Sequence, residues 1–242
     1  MRRWLEVFVL GFSETRSLTH PYLVRELQPS IWLLADAPRR SGAYRRSELV
    51  AWNHEQDAVM NAIRQAAQDR IALCVMATDR TQAQIEKDRY KQLGFRFIGT
   101  EPLFVVDLNA GTPPPQRADI VRVTSQEEAD RVKKAARSRQ ITAADLVSPT
   151  PTVRLYAAFD GENALGWVRS VTTHPDRAWV SNLYVHNEAR GLGIGRSLMA
   201  TMLADDVRHG IQQSVLLASG AGARLYPHLG YTQQGILCIF TQ

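Results

Sequence analysis

The chain has 242 residues, 45% apolar and 22% charged, an ordinary globular composition that excludes a disordered or collagen-like chain and suits two domains better than one. Its net charge of +5 comes from 25 Arg and 4 Lys against 24 acidic residues. No basic tail, zinc-ligand spacing or RNA-binding signature accompanies that charge, so no nucleic-acid role is expected.

In chain order, residues 1–29 alternate apolar clusters (Trp4, Val7, Phe8, Leu10) with turn residues (Thr19, His20, Pro21), which predicts a short helix, a loop and a second segment near Tyr22–Leu27. Arg2 and Arg3 precede apolar residues, but Glu6 interrupts the run and no small-residue cleavage site follows. Neither a signal peptide nor a membrane span is expected. Ile31–Leu34 reads as a strand, and the pairs Arg39-Arg40 and Arg45-Arg46 read as solvated surface around a Ser-Gly turn. With Asn53 as candidate cap, Val59, Ile63 and Ala66 or Ala67 give a helix one apolar face up to Asp69. A buried strand over Ile71–Ala77 and a helix over Thr81–Leu93, stopped by Gly94, complete this half. Cys74 and Cys238 lie in apolar runs without metal-ligand spacing and read as core thiols, consistent with a reducing cytoplasm; no metal site is expected.

Two segments repeat. Tyr90-Lys91-Gln92-Leu93-Gly94-Phe95 with Gly99 matches Tyr226-Pro227-His228-Leu229-Gly230-Tyr231 with Gly235, and apolar strands follow both, over Leu103–Leu108 and Ile236–Phe240. Between the halves, Asn109–Arg117 carries three consecutive prolines and reads as a stiff, extended linker. The second half opens with a strand near Ile120–Val123. Ser125 and Glu128 then form a capping box for a helix buried through Ala129, Val132 and Ala136. Val153–Phe159 and Ala164–Thr173 read as a hairpin about Asp160-Gly161, and His174-Pro175-Asp176 turns the chain into the next strand. The expected order is ββαβαββ or close to it.

The stretch Trp179–Val207 organises this half. Val180, Leu183, Tyr184 and Val185 predict a buried strand; Arg190-Gly191-Leu192-Gly193-Ile194-Gly195 follows; then Leu198, Met199, Met202 and Leu203 recur at helical spacing as far as His209 and Gly210. The first N–H groups of a helix lack internal partners and the macrodipole is positive there, so a strand, glycine loop and helix in succession suit an anion. Glycines let a phosphate approach the backbone, and Arg190 and Arg196 add charge. The spacing matches neither the dinucleotide G-x-G-x-x-G fingerprint nor the Walker pattern.

Arg190, Gly193 and Gly195, with the strand Ser214–Ala218 and Leu225-Tyr226-Pro227-His228-Leu229-Gly230-Tyr231 after it, resemble the acetyl-CoA site of the GCN5-related N-acetyltransferases (GNAT). The resemblance covers residues 119 to 242 and implies an α/β (α+β, mixed-sheet) acyl-CoA N-acyltransferase fold. With the repeat, it implies two GNAT-like domains in tandem: a degenerate one over 1–110 without a CoA loop, a linker over 111–118, and a catalytic one over 119–242. It further implies that Arg190, Gly191, Gly193, Ile194, Gly195 and Arg196 hold the pyrophosphate of acetyl-CoA, that backbone groups of Leu183, Tyr184 and Val185 meet the pantetheine arm, and that Ser219 adds a contact. Tyr226 matches the position whose hydroxyl protonates the departing thiolate. Many members carry a Glu on the central strand as base, where this chain has Trp179, Val180, Ser181 and Asn182. Water held by Ser181 or Asn182, or a carboxylate from elsewhere, must substitute; His174 and His186, at the two ends of that strand, are candidates by chemistry, and Trp167 and Trp179 are candidates to line the acceptor side. The implied function is transfer of an acetyl group to a primary amine, of a small molecule or a peptide. The alternative is a non-catalytic acyl-CoA-binding regulatory module.

Overall fold

In the computed structural model, which describes residues 1–66, 70–111, 119–220 and 222–242, the chain begins with α1 (Arg2–Arg16), longer than the short helix expected. It buries Leu5, Val7, Phe8 and Val9. The strands β1 (Tyr22–Gln28), β2 (Ile31–Asp36) and β3 (Ser47–Trp52) follow. The sequence hid β3, because Glu48 interrupts its apolar run; that carboxylate is used locally, accepting from Arg16 at 2.7 Å and from the Tyr22 hydroxyl. Asn53 does not cap the next helix. Its φ of 56° turns the chain instead, and α2 (Gln56–Ala66) starts beyond it. Asp69, the expected end of that helix, lies outside the described residues. A fully buried β4 (Ile71–Ala77) leads to α3 (Arg80–Gln92), where Asp79 accepts from the Gln82 N–H at 2.9 Å. β5 (Arg96–Asp107) begins before the Leu103 expected.

A single 3-10 turn covers Leu108–Ala110, and the proline run of the expected linker lies outside the described residues. Then come β6 (Ile120–Arg122), α4 (Gln126–Ala136) with the Ser125/Glu128 capping box, and α5 (Ala143–Val147), a short helix not expected from sequence. The expected hairpin is β7 (Val153–Asp160) and β8 (Asn163–His174), followed by β9 (Arg177–Val185), α6 (Ile194–Arg208), β10 (Gln213–Leu217) and β11 (Thr232–Thr241). From β6 onward the order is therefore βααβββαββ, which corrects the ββαβαββ expectation.

These elements fall into two units. Met1–Phe104, Leu217–Ala223 and Gln233–Gln242 form one; Val105–Leu216 and Arg224–Thr232 form the other. Strand order in the first runs β1-β2-β3-β4-β11-β5, with β11 antiparallel to β4 from Ile236↔Ala77 to Thr241↔Ala72. The last strand of the chain thus closes a sheet begun by residues near the start. In the second unit the order is β10-β9-β8-β7-β6, antiparallel except for β9 and β10.

Alternation along β7 sorts the second unit into layers. Leu155 and Ala157 pack with Trp167 under Ala129 and Val132 of α4. Arg154 and Tyr156 face α6, where they bond Asp206 and Asp205, each at 2.5 Å. Among the described residues no helix is long and apolar enough to cross a membrane.

Candidate functional site

β9 and β10 pair in parallel only from Arg177↔Gln213 to Trp179↔Val215. Beyond Trp179, β9 runs on to Val185 with one edge released from β10, so its peptide groups there need other partners. On its other edge, β9 carries a bulge: Ser181 opposes Arg169 and Tyr184 opposes Trp167, which leaves Asn182 and Leu183 against the single Val168. Asn182, within the bulge, has a φ of 54°, and its Nδ2 donates to Gln140 Oε1 at 2.7 Å. Such a bulge re-aims the peptide groups around Leu183. Asn at 182 was its signal in the sequence, since Asn tolerates left-handed backbone better than other side chains. Leu183, Tyr184 and Val185 therefore lie on the released edge.

The glycine loop begins where β9 stops. Gly191 and Gly193 hold φ of 81° and 75°, conformations that side chains resist. At Gly166 on β8, a Cβ would lie 2.6 Å from Tyr184 O and 3.3 Å from Leu198 Cδ1, so its absence lets β9 and α6 close on β8. Helix α6 starts at Ile194 with no side-chain cap and no acidic residue in its first turn. Its leading N–H groups are thereby left for an outside acceptor. Arg190 Nε donates to Val185 O at 3.1 Å, tying the loop to the end of β9. Arg196 Nε is buried without a hydrogen-bond partner. A buried orphan cation donor, an uncapped helix start and two left-handed glycines are what a pyrophosphate would satisfy, so the residues fit the phosphates of CoA.

A cavity of about 610 Å³ borders the loop through His186, Glu188, Ala189 and Leu192 and is also lined by Arg131, Lys134 and Arg137. Arg131 is committed elsewhere, to Gly161 O and the Phe159 ring 4.0 Å away. The His186 ring meets Trp167 and Tyr184 edge-on at 5.7 and 5.2 Å, and those two stack at 4.8 Å.

Tyr226 is 6% exposed, edge-on to Tyr231 at 5.6 Å, and burial pushes its phenol up to about 12. It stays protonated at neutral pH. Ser219 belongs to the segment counted with the first unit, where its Oγ accepts from the Gly222 N–H at 3.4 Å. Trp167 and Trp179 are both buried. His174 ends β8, its Nε2 buried without a partner. Sequence reasoning missed Arg169, a cation inside the apolar β8 run. It is 7% exposed; its Nη2 donates to Ser181 Oγ at 3.0 Å and its Nε has no partner.

The first unit has its own cavity, about 510 Å³, lined by Trp52 to Glu55, Met76, Glu86 and Tyr90 among others. Here β3 stays paired with β4 along its whole length, from Ser47↔Ile71 to Trp52↔Met76. No edge is released. Asp57 occupies the first turn of α2 and Glu55 precedes it, so the helix start repels an anion. Tyr90 packs on Phe95 and Phe240 with ring centroids at 5.9 and 5.3 Å. Cys74 and Cys238 are buried and free; burial raises both thiols, Cys238 to about 11, and they remain protonated. The arginine pairs near Asp36 are partly neutralised, since Arg39 and Arg45 bond it at 2.8 and 2.5 Å.

Two parallel strands that part beside a glycine loop and an uncapped helix start, within a mixed α/β architecture, define the GNAT acyl-CoA N-acyltransferase fold. Residues 151–233 match the family model described as "Acetyltransferase (GNAT) domain". Among solved structures, a GCN5-related N-acetyltransferase from Kribbella flavida superposes with a TM-score of 0.70 at 16% identity, covering 100% of this chain and 95% of that one. Another from Sphaerobacter thermophilus gives 0.60 at 17% identity over 89% and 77%. A tandem GNAT protein from the clavulanic acid biosynthesis pathway gives 0.56 at 15% identity over 90% and 80%. No curated protein matches the sequence.

Proposed function

We propose that the chain is an N-acetyltransferase that moves an acetyl group from acetyl-CoA to a primary amine, with its second half catalytic and its first half a degenerate partner in a tandem arrangement. The observation that carries this is the released edge of β9, which ends directly in a loop with an uncapped α6 and the orphan Arg196 Nε. In this reading Arg190, Gly191, Gly193, Ile194, Gly195 and Arg196 hold the pyrophosphate. Lys134 and Arg137, which line the cavity bordering the loop, attract the remaining phosphate. Peptide groups of Leu183 to Val185 pair with the pantetheine amides as a neighbouring strand would. Bound there, acetyl-CoA supplies an activated thioester. Tyr226, protonated at neutral pH, donates to the thiolate as it leaves.

No carboxylate stands on β9 between Arg177 and Val185. Removal of the amine proton then falls to water held at Ser181 and Asn182, which suits an amine already neutral in a desolvated site. That missing carboxylate is also what favours the second reading, a non-catalytic acyl-CoA-binding module. The buried, reduced cysteines suit a cytoplasmic protein.

Incubation with acetyl-CoA and a panel of amines, following free thiol, tests the proposal. Amine-dependent thiol release supports it. Binding of acetyl-CoA with no release for any amine selects the regulatory module.

A further inference from the structure

Among the described residues the second unit buries two arginines and treats them differently. Arg154 on β7 meets Asp206 at 2.5 Å and has Asp205 within 3.8 Å. Arg169, opposite Leu155 on β8, has no carboxylate within ion-pair distance among the described residues, although it is 7% exposed. Among the described residues its side chain donates to a neutral hydroxyl, Ser181 Oγ. Burial alone pulls its guanidinium down to about 10, so no neighbouring charge offsets the cost of desolvation. An unpaired buried charge is expensive, and apolar residues would fill such a place at less cost.

Its position gives that cost a use. Ser181 pairs with Arg169 just beyond Trp179, on the stretch of β9 that β10 has left. Beside it, Asn182 is held by Gln140 from the connection between α4 and α5. The cation is therefore bonded to the released stretch of β9, the edge to which the acetyl-transfer reading brings the thioester.

We infer that Arg169 binds a carboxylate on the acceptor, so that the substrates are amines that also carry a carboxylate, as free amino acids do. This rests on the acetyl-transfer reading of the same site. A guanidinium matches a carboxylate in a planar, two-point pairing. One uncompensated positive charge balances one negative charge, whereas a phosphate dianion would leave a second buried and unpaired. The carboxylate also replaces the counter-ion that the fold withholds.

The test compares an amino acid, its carboxamide and the corresponding decarboxylated amine, with both binding and turnover as readouts. Binding is followed by thermal shift in the presence of CoA. The wild type should be stabilised by the amino acid alone and should favour it by about 100-fold or more in kcat/KM, since a site built around a buried polar group rejects ligands that leave it unpaired. In Arg169→Met that preference should collapse to within a few-fold, while the unliganded protein unfolds at the wild-type temperature or above it. Arg169→Lys should retain part of the preference. Equal binding of all three amines by the wild type, or an undiminished preference in Arg169→Met, overturns the inference. An Arg169→Met protein that fails to fold also overturns it, because a charge held for a ligand adds nothing to the unliganded fold. If the protein binds the amino acid selectively but neither binds acetyl-CoA nor releases thiol, the carboxylate site stands and the acetyl-transfer reading fails.

Discussion

Arg154 on β7 and Asp206 on α6 form an ion pair at 2.5 Å, with side chains 3% and 0% exposed, and Ser170 on β8 donates to the same carboxylate oxygen at 2.6 Å. Two strands are thereby tied to the helix whose first turn opens the proposed phosphate site. Breaking such a pair from one side leaves a buried charge, while removing both sides does not. Asp206→Ala should therefore cost about 3–5 kcal/mol in urea unfolding, and Arg154→Met combined with Asp206→Leu should recover most of that loss. A double variant as unstable as the single one would show that the pair is not what holds α6.

The bulge at Asn182 makes a second prediction. Left-handed backbone costs an ordinary side chain roughly 1–2 kcal/mol, and a β-branched one resists it most. Asn182→Val should lose about that much stability, together with the Gln140 hydrogen bond, and should lose activity as the bulge relaxes. Asn182→Gly keeps the backbone and should lose less stability and less turnover than Asn182→Val, the remaining loss being that of the side chain's water and Gln140 contacts. Equal stability and activity of the two variants would show that the bulge does not position the site.

Tyr226→Phe removes one hydroxyl and keeps the ring that meets Tyr231. CoA affinity should change little, while the single-turnover rate should fall by about 10²- to 10⁴-fold, the usual contribution of general acid catalysis. Burial places the phenol at about 12. Loss of its proton would lower the rate only near and above that pH, so Tyr226 should add no alkaline decline between neutrality and about pH 9, and the profiles of wild type and Tyr226→Phe should run parallel there. A Phe variant with wild-type single-turnover rates would make Tyr226 a packing residue.

Much of this was legible in the sequence because local chemistry and tertiary context agreed. Ser125 and Glu128 formed their capping box, Gly94 ended α3, and Gly191 and Gly193 took the left-handed turns that lead from strand to helix. Legibility failed where partners distant in sequence decide. β3 went unread because Glu48 interrupts its apolar run, and only the fold brings Tyr22 and Arg16 to that carboxylate. Asn53 looked like a cap and is a turn. Pairing of β11 with β4 leaves no trace in either strand's pattern, since both are simply apolar. Arg169 was hidden for the same reason: a charge within an apolar run shows its lack of a counter-ion only once the neighbouring strands are in place.

The central claim is that one strand edge, on β9, is released to receive acyl-CoA, while the matching edge on β3 is sealed by β4. Calorimetric titration of CoA into the wild type and Gly193→Glu tests it most directly. The account predicts one CoA per chain for the wild type and no binding for Gly193→Glu, which strains a left-handed position and sets a negative charge at the helix start. Two sites of similar affinity, none at all, or undiminished binding by Gly193→Glu would contradict it.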